Sequence, residues 1–180
     1  ASAEQSKGDE QLAKLLEGRV AGEPTRCVPS HVNARIYMID KTALVMHSAE
    51  RMFHLVNDVA SYPDFLPWCS ASQVHEQTDH EIMASMDIAK GGIRHRLTTR
   101  NQLYLPHTIE MSLVDGPFRN LSGRWQFKPL QNNACKVILT LEFEFSGSLS
   151  RMTFGPVFNQ AANTMVDAFC RRADQVYLGG

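Results

Sequence analysis

Cysteine is scarce in this sequence, with Cys27, Cys69, Cys135 and Cys170 the only four in 180 residues. None sits in a Cys-x-x-Cys pair, and no Cys/His cluster has zinc-ligand spacing, so neither a metal site nor a disulfide framework is expected. That pattern fits a reducing compartment. Charge of one sign is not in excess either, since 18 basic residues face 19 acidic ones. A neutral domain is not a general nucleic-acid binder: DNA is not an expected partner, and RNA contact would need a local patch. No apolar run reaches the length of a membrane-spanning helix, and the N-terminal residues are too charged for a secretory signal. These absences predict a soluble cytoplasmic protein. Also missing are a phosphate-binding glycine loop, a Ser/His/Asp set, internal repeats and low-complexity tracts.

What the sequence does have is concentrated in its last third. From Cys135 to Phe145 the residues alternate: Cys135, Val137, Leu139, Leu141, Phe143 and Phe145 share one face, and Lys136, Thr140, Glu142 and Glu144 the other. Period two with one apolar face predicts a half-buried strand. Leu149–Tyr177 then reads as one long helix, with Phe154, Phe158, Ala161, Ala162, Met165, Phe169, Ala173 and Val176 at helical spacing. Only this helix is long enough to cover so apolar a sheet face. Gly155-Pro156 predicts a kink, or a true start at Pro156.

Upstream, Ile36–Met46 reads as a first strand. Ser48 caps a helix carrying Met52, Phe53, Val56 and Val59, which Tyr62-Pro63 ends. Strand-like runs follow at Ser72–Gln77, Glu81–Ala89, Ile93–Tyr104, Ile109–Leu113 and Gly123–Phe127, the last ended by Pro129. Turn signals such as Lys90-Gly91-Gly92 separate them. Strands in hairpin succession make an antiparallel sheet, so the fold class is α+β. Residues 1–33 look different, with one short helix at most, and read as an N-terminal extension to a domain spanning 34–180.

These residues carry a resemblance. Ser48 to Val59 followed by Tyr62-Pro63-Asp64-Phe65-Leu66-Pro67-Trp68-Cys69, then Val114-Asp115-Gly116-Pro117-Phe118, Leu141-Glu142-Phe143-Glu144-Phe145 and the closing Ala168-Phe169, resemble the coenzyme-Q-binding branch of the START-like (polyketide cyclase/dehydrase) superfamily. The resemblance covers roughly Asp40 to Tyr177. It implies a helix-grip fold: a curved antiparallel sheet wrapped around the C-terminal helix, with short helices after strand 1 and a hydrophobic tunnel inside. Eukaryotic members bind ubiquinone and support respiration. The bacterial members most similar to this sequence, the ribosome association toxins, bind the large ribosomal subunit and block subunit joining. The wider superfamily includes polyketide cyclases. The resemblance implies a non-catalytic binder of a quinone or lipid, with bound ubiquinone as its one cofactor-like ligand and peripheral contact with the inner membrane.

The residues proposed to line the tunnel are Phe65, Trp68, Met86, His95, Leu97, Thr99, Asn101, Met111, Trp125, Phe127, Leu141, Phe143, Phe158, Ala162, Met165 and Phe169. Alternation adds Ile82, Ala84, Ile88, Leu103 and Leu139 to the same inner face. The competing reading is that they pack as a solid core. His95, Thr99 and Asn101 fall on the apolar face of their strand, where they can donate to a quinone carbonyl, or bond one another or water. The loop Tyr62–Trp68 reads as the entrance or as a staple. No catalytic residue is expected, because Asp87, Glu142 and Glu144 fall on outer faces and His95 is the one inner histidine of seven. Arg94, Arg96, Arg100, Arg124 and Lys128 lie on outer faces, as a ribosomal RNA patch or as a solvated face paired to carboxylates such as Glu110.

Overall fold

The computed structural model describes residues 28–29 and 35–178. Its strands are β1 (Val28–Pro29), β2 (Arg35–Val45), β3 (Cys69–Gln77), β4 (Glu81–Lys90), β5 (Ile93–Tyr104), β6 (Thr108–Asp115), β7 (Phe118–Gln131) and β8 (Ala134–Phe145). All pair antiparallel in the order β1-β2-β8-β7-β6-β5-β4-β3. Consecutive strands from β3 to β8 are neighbours. The β4–β5 turn uses Gly91 at φ 58° and Gly92 at φ 84°, the two positive φ values that a tight hairpin requires.

β2 and β3 follow one another in sequence but end up far apart in the sheet. The crossing is made by α1 (Ala49–Asn57) and a 3-10 helix (Val59–Asp64). Ser48 caps α1 as expected, its Oγ accepting from the Arg51 N–H at 3.2 Å. The helix stops at Asn57, earlier than the Tyr62-Pro63 boundary, and the chain tightens into the 3-10 turn that contains Pro63.

The expected single helix from Leu149 to Tyr177 is two. α2 (Ser148–Thr153) ends at Phe154, and α3 (Gly155–Tyr177) starts with Pro in its first turn. Pro156 has no N–H to donate backwards, so it can begin a helix but not continue one. β7 also differs from its expected span, starting at Phe118 and passing through Pro129. Its pairing with β6 ends at Gln126, so Pro129 sits where β7 has only β8 beside it and a missing donor costs little.

α3 lies across the concave face of the sheet and buries Phe158, Ala161, Ala162, Val166, Phe169 and Ala173, while Val176 is exposed. Its C-terminal end is tied down. The buried His47 Nε2 lies 2.7 Å from Asp174 Oδ1, and the Tyr177 hydroxyl donates to the Arg51 carbonyl at 3.2 Å. Of the proposed extension 1–33, Val28 and Pro29 pair with Ile36 and Arg35. The rest, with the short helix expected there and Cys27, lies outside the described residues. No helix among the described residues is long and apolar enough to cross a membrane.

Candidate functional site

The grip of the sheet on α3 is not closed solid. A cavity of about 60 Å³ remains, walled by Ala84, Met86 and Ile88 of β4, Leu97, Thr99 and Asn101 of β5, and Ile109 and Met111 of β6. Leu121 and Trp125 of β7, Leu141 of β8, and Phe158, Ala161, Ala162 and Met165 of α3 complete the barrel side. Val56, Val59, Tyr62 and Trp68 close the remaining side. Alternation explains the strand residues, since i and i+2 face the same way. At about 10–15 Å³ per water-sized occupant the space takes roughly four waters, well short of the 300 Å³ or more of an ordinary ligand pocket. Three of its walls carry methionine, whose unbranched side chain re-packs easily.

No charged side chain reaches the cavity. Four of the lining residues carry a polar side-chain group, Thr99, Asn101, Tyr62 and Trp68, and all four are buried. The Tyr62 hydroxyl donates to the Val56 carbonyl, and burial pushes the phenol well above its ordinary pKa, so it keeps its proton. Trp68 Nε1 and Asn101 Oδ1 are buried with no hydrogen-bond partner in the protein.

Eleven of the sixteen proposed tunnel residues line this cavity: Trp68, Met86, Leu97, Thr99, Asn101, Met111, Trp125, Leu141, Phe158, Ala162 and Met165. Five do not. His95 is turned against Phe154 at the α2–α3 junction, with ring centroids 4.8 Å apart. Phe143 stacks on Tyr37 and meets Phe158 edge-on, and Phe127 packs between Trp125 and Phe53. Phe169 fills the gap between Tyr62, Phe65 and Trp125, and Phe65 lies under the Arg172 guanidinium at 5.1 Å. Ile82, Leu103 and Leu139 are likewise packed core. Tyr62, Leu66 and Trp68 are buried, and the Tyr62–Trp68 loop staples the 3-10 helix to α3. Val56, Val59, Ile109, Leu121 and Ala161 were not expected in the lining. Their apolar spacing is plain in the sequence, but nothing in it says which core residue borders a void.

The arginine face is charge-compensated. The Asp87 carboxylate, buried on the convex side, accepts from Arg96 Nε at 2.8 Å and Arg94 Nη2 at 2.6 Å. Those two guanidinium groups hold its pKa down to about 2. Arg100 pairs with Glu81 and with Glu76 at 3.8 Å, and Arg124 pairs with Glu110 at 2.9 Å. Gln102 and Arg100 together lower the Glu81 pKa. Lys128 is exposed and joins no ion pair among the described residues. Four of the five residues proposed as an RNA patch are thus already matched to carboxylates.

Cys69, Cys135 and Cys170 are free thiols, each pushed up to about 11, chiefly by burial, so none is a ready nucleophile. Among the described residues no cluster of His, Cys, Asp or Glu could hold a metal ion.

Comparison with known proteins agrees with this architecture. The chain is 53% identical over 139 residues to the Pseudomonas aeruginosa protein named "Ribosome association toxin RatA", covering 77% of this chain and 96% of that one. It is 23% identical over 180 residues to the Xenopus laevis "Coenzyme Q-binding protein COQ10 homolog B, mitochondrial", covering 91% and 74% respectively. Among solved structures, the Zhui aromatase/cyclase from Streptomyces sp. R1128 superposes with a TM-score of 0.70 at 17% identity, over 81% of this chain and 98% of that one, a likeness of fold. A family model described as "Polyketide cyclase / dehydrase and lipid transport" matches residues 45–170. With the helix-grip architecture and the apolar cavity between sheet and helix, that match makes this chain a member of the START-like polyketide cyclase/dehydrase and lipid transport family.

Proposed function

We propose that this protein binds an uncharged hydrophobic small molecule between the sheet and α3, without turning it over. The observation that carries the reading is the cavity wall: predominantly apolar, free of charged groups, and flanked by the adaptable side chains of Met86, Met111 and Met165. A buried charge without a partner is costly, so the wall favours a neutral occupant. Turnover would need an acid or base in contact with the ligand. The lining offers only Tyr62 in that role, and burial keeps its proton on. The name of the distant COQ10 relative supports ubiquinone as a candidate ligand and a role in respiration. Its ring exceeds the present volume, so binding it would require the methionines to give way. The test is native mass spectrometry, with lipid extraction, on protein from its own host. A neutral lipophilic compound released at one per chain is the expected result, and protein that is empty from every growth condition refutes the reading.

A second reading is association with the large ribosomal subunit in the cytoplasm. It is favoured by the relatives at 50% identity or more that are named for ribosome association. The paired arginines weaken a simple basic patch, so the residues to test are Lys128, which joins no ion pair among the described residues, and Arg124 on the same face of β7, whose pair with Glu110 is solvent-exposed. Co-sedimentation with large subunits that falls on Lys128→Glu and Arg124→Gln, and falls with added salt, supports it. Sedimentation indifferent to both moves the contact elsewhere.

A further inference from the structure

The outer face of the sheet carries a like-charged pair that the fold does not answer. Lys128 of β7 lies directly opposite Lys136 of β8, and Lys136 is in turn opposite Leu44 of β2. Alternation turns all three outward, since Phe127, Val137 and Val45 beside them are buried. Side chains opposite one another start about 5 Å apart, and like charges so placed are destabilising. Neither lysine joins an ion pair among the described residues. The nearest outward carboxylates on these and the neighbouring strand are Asp40 of β2 and Glu110 of β6, opposite Arg124. Each stands level with a position four residues along the ladder, about 13 Å away. That is beyond the screening length of about 8–10 Å, and Glu110 is already paired with Arg124.

The same end of the sheet gathers exposed apolar side chains. Leu44 is 72% exposed, Met46 68%, Leu105 58% and Leu130 56%. Leu44 and Met46 end β2, Leu105 follows β5, and Leu130 stands where the β7–β8 ladder shifts register. Phe127 donates to the His107 carbonyl, which brings the β5–β6 turn beside Lys128. Single exposed leucines are ordinary, but a group of them around two unanswered cations is a surface with a purpose. RNA phosphates would answer the lysines and leave the leucines bare. A second copy of the chain would set lysine against lysine, with no carboxylate on this part of the face to relieve them. A bilayer with acidic headgroups answers both, since apolar tips enter the headgroup boundary and lysines stay level with the phosphates.

We infer that this end of the sheet docks on an anionic lipid surface, with Leu44, Met46, Leu105 and Leu130 entering it and Lys128 and Lys136 meeting its phosphates. The inference does not depend on what fills the cavity, which lies on the opposite face of the sheet.

Co-sedimentation of the full chain with vesicles tests it. Vesicles of phosphatidylglycerol and phosphatidylcholine in equal parts should carry the protein down, and added salt should release it; pure phosphatidylcholine should not carry it down. The double variant Lys128→Gln, Lys136→Gln should bind the mixed vesicles about thirtyfold more weakly. Leu44→Ser with Met46→Ser should lose about tenfold. Lys90→Gln, at the far end of the sheet, should bind as the wild type does. The lysine double variant should melt no lower than wild type, because it removes a repulsion; a lower melting temperature overturns the premise that the pair is a cost. No binding to the mixed vesicles, or equal binding to both vesicle types, overturns the inference. So does co-sedimentation with large ribosomal subunits that falls in the lysine variant while vesicle binding stays as it was, which would assign the pair to RNA.

Discussion

Gly123 is the position where packing and cavity can be tested together. It sits on the inner face of β7 between Met111 of β6 and Leu141 of β8. A Cβ there would lie 2.5 Å from Leu141 Cδ2, 2.6 Å from Met111 Cε and 3.2 Å from the Thr140 carbonyl oxygen. The carbonyl belongs to the strand ladder and yields little. The other two atoms are the free ends of flexible side chains, and both side chains border the cavity. In Gly123→Ala each must retreat by a little under 1 Å to reach ordinary contact, and the open space is on their inner side. Overpacking a filled core costs about 1–3 kcal/mol, while replacing a strand glycine by alanine returns about 0.5–1 kcal/mol. With room to retreat, the net loss should be near the low end, about 1 kcal/mol, or some 2–4 °C in melting temperature for a domain of this size. The retreat narrows the cavity, so affinity for the neutral lipophile released from the native protein should fall at least tenfold. Met111→Ala in the same chain relieves one of the two short contacts. The double variant should then lose less stability than the sum of the singles in urea titrations. Additive losses, or a single-variant loss above about 4 kcal/mol, would mean that these side chains have nowhere to go. Unchanged binding of that lipophile by stable Gly123→Ala would show that they do not border the ligand.

Three further outcomes follow from the same geometry. Ala162→Trp puts an indole into a cavity with room for about four waters, so it should abolish ligand binding and cost about 1–3 kcal/mol in urea titrations; retained binding would refute the placement of α3. The Asp87 carboxyl is held at about 2 by Arg96 and Arg94, below its unfolded value of roughly 3.9. Its contribution is therefore complete above about pH 5 and is lost as pH falls through 4 towards 2. With the guanidinium groups largely in solvent that contribution is about 1–2 kcal/mol, and Asp87→Asn should flatten the acid limb of a stability–pH curve by that amount. An acid limb identical to wild type would deny the pair its role. His95→Gln should leave ligand affinity within about twofold, because the ring packs on Phe154 outside the cavity; a tenfold loss by calorimetry would return His95 to the binding wall.

Much of this protein is determined locally and was therefore legible in the chain. Alternation from Cys135 to Phe145 defines β8 and its inner face, because the pleat has a period of two whatever surrounds it. Ser48 fixes the start of α1, and Gly91-Gly92 fixes the β4–β5 turn, through hydrogen bonds and φ values confined to a few residues. Pro156 marks the true start of α3 for the same reason. From these elements the α+β class, the antiparallel sheet and the covering helix follow, and eleven lining residues with them.

Periodicity assigns a face; it does not assign a neighbour. Phe143 and Leu141 share the inner face of β8, yet Phe143 is spent against Tyr37 and Phe158 while Leu141 borders the void. His95 shares a face with Thr99 and Asn101, but the α2–α3 break places Phe154 against it and removes it from the site. The outer arginines look like a basic patch in one dimension, and become ion pairs only when strand register brings Asp87 opposite Arg96 and Glu110 opposite Arg124. A cavity is what remains after side chains from eight separate elements have failed to meet. Its size and its lining depend on distances between residues far apart in sequence, which only the tertiary structure decides.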